Sequence, residues 1–187
     1  LLLRRVGMNP RRTGLLHVLR LMGADIVESD AGEEGGEPVA DLRVRHARLH
    51  GIDVPEQHVP DMIDEFPALF VAAACASGVT RVTGAHELRV KESDRIATMA
   101  AGLRTLGVEI EEAEDGATIA GSVAGVGSGT VDSHGDHRIA MSFAIAGQRA
   151  RGEVVIADTA NVATSFPGFV ALANGAGFGL RELPAGR

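Results

Sequence analysis

Leu103-Arg104-Thr105-Leu106-Gly107, followed at once by Val108-Glu109-Ile110, predicts a helix that ends at a glycine and continues as a strand. The same order occurs at residues 15–27, where a leucine-rich helix ends at Gly23. A weaker third copy occupies residues 169–180, with Gly175 as the predicted end of the helix and residues 178–180 as the strand. Three copies of one helix–strand pattern indicate a domain assembled from similar units.

A second repeated pattern is an alanine-rich helix that opens with an acidic residue and is followed by a short strand. It spans residues 64–78 with a strand at 79–82, and residues 136–152 with a strand at 153–156. Both helices are apolar on nearly all sides, so we expect them to be buried. Alternating helices and strands predict an α/β fold with mixed sheets, in repeated β-α-β-β-α units.

The connecting segments are less regular. Residues 41–45 and 117–120 alternate between apolar and polar side chains, which predicts two half-exposed strands. Residues 7–14 and 30–38 are rich in glycine, proline and charged residues, and we expect them to form loops.

The composition excludes several classes of protein. The chain has 187 residues, a net charge of −7, only 3% aromatic residues and no Trp or Tyr. The negative charge argues against bulk nucleic-acid binding, because no surplus of cations is available to neutralise phosphates. No apolar run approaches the roughly 20 residues that span a bilayer. The single cysteine, Cys75, rules out a disulfide within the chain, and we expect a cytoplasmic protein with Cys75 packed as a small apolar residue.

Two charged clusters lie in apolar surroundings. They are Lys91-Glu92-Ser93-Asp94-Arg95 and Asp136-His137-Arg138. Each is predicted to open a helix, the first of them directly after a strand ending at Val90. Helix starts carry free N–H groups and partial positive charge, so the added cations predict an anion site for phosphate or carboxylate. Asp64 opens a third predicted helix, which suggests an acid/base carboxylate beside this site.

Plainer explanations apply to each of these residues. The run at 91–95 could be a solvated helix start. Asp64 or Glu65 could simply stabilise a helix N-terminus and have no other role. His134 and His137 could suggest a metal site, but no third histidine or cysteine has suitable spacing, so no metal is expected. Asp136 is instead expected to cap its helix, with His137 and Arg138 lining a pocket.

Four motifs together resemble one enzyme family, EPSP synthase (3-phosphoshikimate 1-carboxyvinyltransferase). They are Glu87-Leu88-Arg89-Val90-Lys91-Glu92-Ser93-Asp94-Arg95-Ile96, Asp136-His137-Arg138-Ile139-Ala140-Met141, Met62-Ile63-Asp64-Glu65-Phe66-Pro67 and Ala163-Thr164-Ser165-Phe166-Pro167. The resemblance runs from about Val6 to Phe178. It implies the enolpyruvyl transferase fold, which has two lobes of three β-α-β-α-β-β units each. The chain resembles the C-terminal portion, one partial lobe over residues 1–187 with units at roughly 1–51, 52–121 and 130–187, and the N-terminal lobe is absent.

The resemblance also implies a reaction and its residues. The family transfers the enolpyruvyl group of phosphoenolpyruvate to the 5-hydroxyl of shikimate 3-phosphate, releases phosphate and uses no cofactor. It serves aromatic amino-acid synthesis. Asp64 matches the acid/base aspartate at the 5-hydroxyl, and Lys91 matches a lysine near the same hydroxyl. Glu92 matches the glutamate that protonates the phosphoenolpyruvate methylene, and Arg95 and Arg138 match the arginines that hold phosphoenolpyruvate.

Two other functions stay open from the sequence. One is the sister transferase that acts on UDP-N-acetylglucosamine, which residues 91–95 disfavour. The other is a non-catalytic domain that only keeps the fold. Thr164 stands where some members of the family have a lysine, a pattern that looks like the class II, glyphosate-tolerant subgroup.

Overall fold

The computed structural model describes residues 1–183. Within them the chain alternates between helices and short strands, with four additional 3₁₀ turns at Pro10–Arg12, Glu56–His58, Pro60–Glu65 and His86–Val90. The strands and α-helices follow in the order β1 (Leu2–Gly7), α1 (Gly14–Leu21), β2 (Asp25–Glu34), β3 (Glu37–Arg45), α2 (Phe66–Ala74), β4 (Gly78–Val82), α3 (Arg95–Thr105), β5 (Glu109–Ala113), β6 (Gly116–Gly121), β7 (Gly129–Asp132), α4 (His137–Gly147), β8 (Val154–Ala157), α5 (Ala160–Ser165) and α6 (Phe169–Gly175).

Two of the sheets have the same topology. The first is ordered β1-β3-β2 and the second β4-β6-β5, and all pairs in both are antiparallel. In each sheet the strand that comes last in the chain lies in the middle. Strands β7 and β8 pair in parallel, because the connection between them contains helix α4. Helices therefore alternate with sheets, and the fold contains both antiparallel and parallel strand pairs, as the sequence patterns predict for an α/β fold.

The helix-to-strand corners repeat in atomic detail. Gly23 and Gly107 both have positive φ, 96° and 78°, a conformation that favours glycine at a helix end. Arg20 Nε donates to the Ile26 carbonyl, six residues ahead, and its Nη2 lies 2.7 Å from Glu28. Arg104 makes the same two bonds at the same separations, to Ile110 and Glu112. Each arginine thus fixes the strand against the helix that precedes it.

In the third copy α6 ends at Gly175, as predicted, but two other features differ from the prediction. The positive-φ glycine after α6 is Gly177 rather than Gly175, and residues 178–180 form no strand within the described part of the chain. Asn174 stands in for the arginine, and its side chain both donates to and accepts from the backbone of Leu180, again six residues ahead. The shorter side chain closes the corner without a partner strand.

Two other predictions were wrong. Residues 30–38 are not a loop but the tip of the β2–β3 hairpin, which turns at Gly35 and Gly36, both with positive φ. Most of β2 is exposed, so its side chains do not alternate in the way that identifies a strand. The strand predicted to end at Val90 is a 3₁₀ helix, His86–Val90, and Val90 itself is exposed.

The core lies where α2, α3 and α4 pack together. Phe66, Phe70 and Phe143 are buried there, and Gly102 of α3 lets the Phe143 ring lie directly against the helix backbone. Helix α2 is buried on nearly all sides, as predicted, whereas α4 leaves Ile145 exposed. Among the described residues, no helix is long and apolar enough to cross a membrane. Because the three helices touch, they can bring their N-terminal ends to one place.

Candidate functional site

The helix starts predicted from the two charged clusters are confirmed. Asp94 caps α3, where its Oδ1 accepts from the Ala97 N–H at 3.0 Å. Asp136 caps α4, where its Oδ1 accepts from the Arg138 N–H at 2.9 Å. Asp64 differs slightly, because it lies in the 3₁₀ turn Pro60–Glu65 that leads into α2 and does not cap the helix. The caps fix the backbone from which the arginines project.

Asp64 is the point where the three helix starts meet. Its Oδ1 accepts from Arg95 Nη1 at 3.3 Å, and its Oδ2 accepts from Arg138 Nη2 at 3.4 Å. Arg138 Nη1 also donates to the Asp64 carbonyl at 3.3 Å. These three residues are far apart in sequence, so the fold itself assembles the cluster.

Arg95 is the buried centre of the cluster, with only 1% of its side chain exposed. Its Nε donates to Asp136 Oδ2 at 2.8 Å, and its Nη2 donates to Glu92 Oε2 at 2.6 Å, in addition to the Asp64 contact. A buried guanidinium is tolerated only when carboxylates and hydrogen bonds compensate it, as they do here. Asp136 is fully buried, whereas 51% of the Glu92 side chain is exposed and faces outwards.

The electrostatics of the cluster keep Asp64 and Asp136 ionised. Burial alone would raise the pKa of Asp64, but Arg138, Arg95 and Lys91 outweigh it and hold that pKa below its ordinary value. Burial likewise opposes ionisation of Asp136, and the hydrogen bond and charge of Arg95 again lower the pKa overall. Both carboxylates therefore serve as counter-ions for arginine in the structure as it stands.

Lys91 and His137 lie at the edge of the cluster. Lys91 Nζ donates to Glu87, and it acts on Asp64 through its charge rather than through a hydrogen bond. His137 is the first residue of α4 and is half-buried beside Arg138. Among the described residues, none of the ion pairs of the cluster involves His137. The structure thus brings Asp64, Glu92, Arg95 and Arg138 into direct contact and leaves these two as neighbours.

Sequence reasoning missed one member of the cluster, Arg12. Its Nη2 donates to Glu65 Oε1 at 2.8 Å and lies 3.7 Å from Asp64 Oδ2. Residues 7–14 were expected to be a loop, and a short 3₁₀ turn, Pro10–Arg12, carries this arginine instead. A local signal existed in Asn9-Pro10, which opens a turn just before two arginines.

The arrangement is suited to binding an anion and moving protons. Two arginines and a lysine lie beside carboxylates that an incoming anion could replace as their partners. Within residues 1–183, no group of three or more His, Cys, Asp or Glu side chains is placed to hold a metal ion.

Comparison with known proteins gives the same family from sequence and from structure. The family model for EPSP synthase (3-phosphoshikimate 1-carboxyvinyltransferase) matches residues 1–172. A protein of Xanthomonas euvesicatoria pv. vesicatoria named 3-phosphoshikimate 1-carboxyvinyltransferase is 70% identical over 185 residues, which is 99% of this chain and 41% of that protein. A protein of the same name from Xanthomonas oryzae pv. oryzae PXO99A is 69% identical over 98% of this chain and 41% of its own length. The chain thus spans about two fifths of the relatives it matches.

Solved structures agree. The EPSP synthase of Acinetobacter baumannii matches with a TM-score of 0.92 and 50% identity, over 95% of this chain and 41% of that one. The enolpyruvyl transferase NikO of Streptomyces tendae matches with a TM-score of 0.67 and 18% identity, over 94% of this chain and 37% of that one, a likeness of fold alone. The α/β fold predicted from the repeats is therefore confirmed as that of enolpyruvyl transferases. On the strength of a family model that covers most of its length, the chain belongs to the EPSP synthase family.

Proposed function

We propose that this chain forms part of the active site of a 3-phosphoshikimate 1-carboxyvinyltransferase, which moves the enolpyruvyl group of phosphoenolpyruvate to the 5-hydroxyl of shikimate 3-phosphate. The observation that carries the proposal is the meeting of Asp64, Glu92, Arg95 and Arg138 at the starts of three packed helices. The family membership and the names of the 69–70% identical relatives support it.

Arg95 and Arg138 hold the anionic groups of phosphoenolpyruvate. Within the chain these arginines pair with Asp64 and Glu92, so an incoming anion has to compete with two carboxylates for them. When phosphoenolpyruvate replaces Asp64 and Glu92 as the partner of these arginines, Asp64 loses part of the positive charge that lowers its pKa. A carboxylate with a higher pKa is a better general base, so substrate binding prepares Asp64 for its role.

The proton chemistry uses two carboxylates. Glu92 donates a proton to the methylene carbon C3 of phosphoenolpyruvate, and the 5-hydroxyl oxygen forms a bond to C2 while Asp64 accepts the hydroxyl proton. In the second step the Glu92 carboxylate takes a proton back from C3, the double bond between C2 and C3 re-forms, and the bond between C2 and the phosphate oxygen breaks. The departing phosphate takes the proton that Asp64 had accepted. Fixed arginine and lysine charges stabilise the charge that develops at C2 and on the departing phosphate, with Lys91 nearest the hydroxyl.

The rest of the active site belongs to a second lobe. We propose that the chain is one partial lobe, with units at about 1–51, 52–121 and 130–187, of which residues 184–187 lie outside the described part. The matching sheets and their matching corners support the first two units. The coverage of 41% of the relatives supports a partner lobe that holds the substrates from the other side.

The test combines this chain with the remainder of its Xanthomonas euvesicatoria relative, in one chimeric protein. We expect phosphate release that requires both phosphoenolpyruvate and shikimate 3-phosphate, and no measurable release from the 187-residue chain alone, since catalysis needs both substrates held in place. Release by the isolated chain would contradict the two-lobe arrangement.

Two controls separate the other functions. UDP-N-acetylglucosamine offered as the acceptor should give no phosphate release, and release would support the sister transferase. Calorimetric titration of the chimera with phosphoenolpyruvate should show binding, and its absence would support a non-catalytic domain.

A further inference from the structure

Arg12 reaches the cluster from a separate part of the fold. It ends the 3₁₀ turn Pro10–Arg12 after β1, and it approaches the residues that precede α2 rather than its sequence neighbours. Its Nη2 lies 2.8 Å from Glu65 Oε1 and 3.7 Å from Asp64 Oδ2. More than half of the side chain is exposed, at 55%, so the contact with Glu65 is what fixes its position.

Glu65 lies between Arg12 and Arg138 and accepts a hydrogen bond from Arg12 but not from Arg138. Its Oε1 accepts a hydrogen bond from Arg12, while Arg138 Nη1 stands 3.7 Å away, beyond hydrogen-bonding distance. Its other oxygen, Oε2, is buried and has no hydrogen-bond partner among the described residues. A carboxylate in this condition is costly to leave without a cation, so the Arg12 bond is the one that neutralises it.

We propose that Arg12 is a positioning residue: by holding Glu65, it leaves Arg138 available for the substrate anion. The inference rests on the proposed function, because it assigns Arg138 to phosphoenolpyruvate. Arg138 already has one internal carboxylate to release, Asp64, when the substrate binds. Arg12 prevents Glu65 from becoming a second one.

Loss of Arg12 removes the cation that pairs with Glu65, and we expect Glu65 to pair with another one. The nearest remaining cation is Arg138, and the gap from 3.7 Å to a hydrogen bond is small for a flexible side chain. The pKa of Arg12 is raised, mainly by its hydrogen bond to Glu65, which reflects the same mutual stabilisation. Once Glu65 has moved, phosphoenolpyruvate must compete with two carboxylates for one guanidinium.

The experiment measures kinetics and binding in the chimera described above. Arg12→Ala should raise the KM for phosphoenolpyruvate and weaken its calorimetric binding by about ten-fold, with kcat within about two-fold, because a charge-assisted hydrogen bond to Arg138 now has to be broken. Arg12→Lys keeps the charge beside Glu65 and should recover most of the binding. Arg11→Ala is the matched control, since Arg11 lies in the same turn as Arg12 but pairs with Asp61, at 3.3 Å, and forms no ion pair with Asp64 or Glu65.

The decisive variant is the double substitution Arg12→Ala with Glu65→Gln. Without its charge, residue 65 no longer competes for Arg138, so binding of phosphoenolpyruvate should return to within about two-fold of that of Glu65→Gln alone. If the double variant keeps the full defect of Arg12→Ala, Arg12 contacts the substrate directly and the positioning role is wrong. If Arg12→Ala behaves like Arg11→Ala while the parent chimera is active, this inference alone fails. A parent that neither binds phosphoenolpyruvate nor releases phosphate overturns the proposed function, and this inference with it.

Discussion

Replacing Asp136 with alanine should destabilise the chain far more than an ordinary helix cap does. Asp136 caps α4 through the Arg138 N–H, and the same carboxylate pairs with the buried Arg95 at 2.8 Å. The substitution therefore removes a cap and leaves a buried guanidinium with one fewer counter-ion. The two losses act at one site, so they can be separated by comparison with another cap.

The structure gives the size of the effect. Breaking a buried ion pair by removing one partner costs about 3–5 kcal/mol, and we expect the lower end because Arg95 keeps Glu92 and Asp64. Loss of the cap adds about 1 kcal/mol. The free energy of unfolding should therefore fall by about 4 kcal/mol. Asp136→Asn keeps a good capping side chain and should lose only the part due to charge.

Asp94→Ala is the matched control. Asp94 caps α3 in the same way, but its ion-pair partner is Arg89, which is partly exposed. This variant should lose about 1–2 kcal/mol, the cap and a weak surface pair. The assay is equilibrium unfolding in urea, followed by circular dichroism near neutral pH. Equal losses for Asp136→Ala and Asp94→Ala would refute the reasoning, since burial of Arg95 would then contribute nothing.

Three further outcomes follow from the same geometry. The pKa of Asp136 is lowered in the folded state, so its contribution to stability is present above the unfolded pKa of about 3.9 and is lost as the pH falls through the folded pKa. Urea unfolding down to about pH 2 should show this loss of stability in the parent and a smaller loss in Asp136→Asn. Parallel curves of stability against pH for the two proteins would contradict the expectation. In the chimera, Glu92→Gln should lower turnover by about 10²–10⁴-fold and leave the affinity for phosphoenolpyruvate close to that of the parent. Arg138→Ala should lower turnover and also weaken the binding of phosphoenolpyruvate. Normal turnover in Glu92→Gln, or parental affinity in Arg138→Ala, would show the assigned roles to be wrong. Gly102→Ala should lower the free energy of unfolding in urea by about 1–3 kcal/mol, because the added Cβ would overlap the Phe143 ring. Gly175→Ala has open space around it and should leave the free energy of unfolding unchanged or raise it slightly. Similar values for the two variants would contradict the packing around Gly102.

The parts of this fold that follow from sequence are those with local signals. The starts of α3 and α4 were predicted because a charged cluster precedes an apolar run at each, and Asp136 was expected to cap α4. The cap that Asp94 provides for α3 was found only in the structure. The ends of α1 and α3 were predicted because a glycine, Gly23 or Gly107, follows each apolar run. Both glycines have positive φ in the structure. Local chemistry alone identified these boundaries.

What could not be predicted depends on distant contacts or on exposure. Arg12 and Glu65 are 53 residues apart, and nothing in either segment indicates the other. The outer part of the β2–β3 hairpin is exposed, so its sequence lacks the alternation that burial of one face imposes. The cluster was predicted as a set of residues from the family resemblance, but its detailed pairing, with Arg95 buried among three carboxylates, required the structure.

The repeated helix–strand corners bear on how the chain folds. Each corner is closed by an arginine that reaches only six and eight residues ahead, so it forms at little cost in chain entropy. The cluster around Asp64 joins residues 31 and 74 positions apart, and it requires the three helices to be in place. Because local contacts generally form faster than distant ones, we expect the corners at Arg20 and Arg104 to form early and independently of each other. The cluster needs the starts of α2, α3 and α4 together, so we expect it to form only when the whole chain has folded.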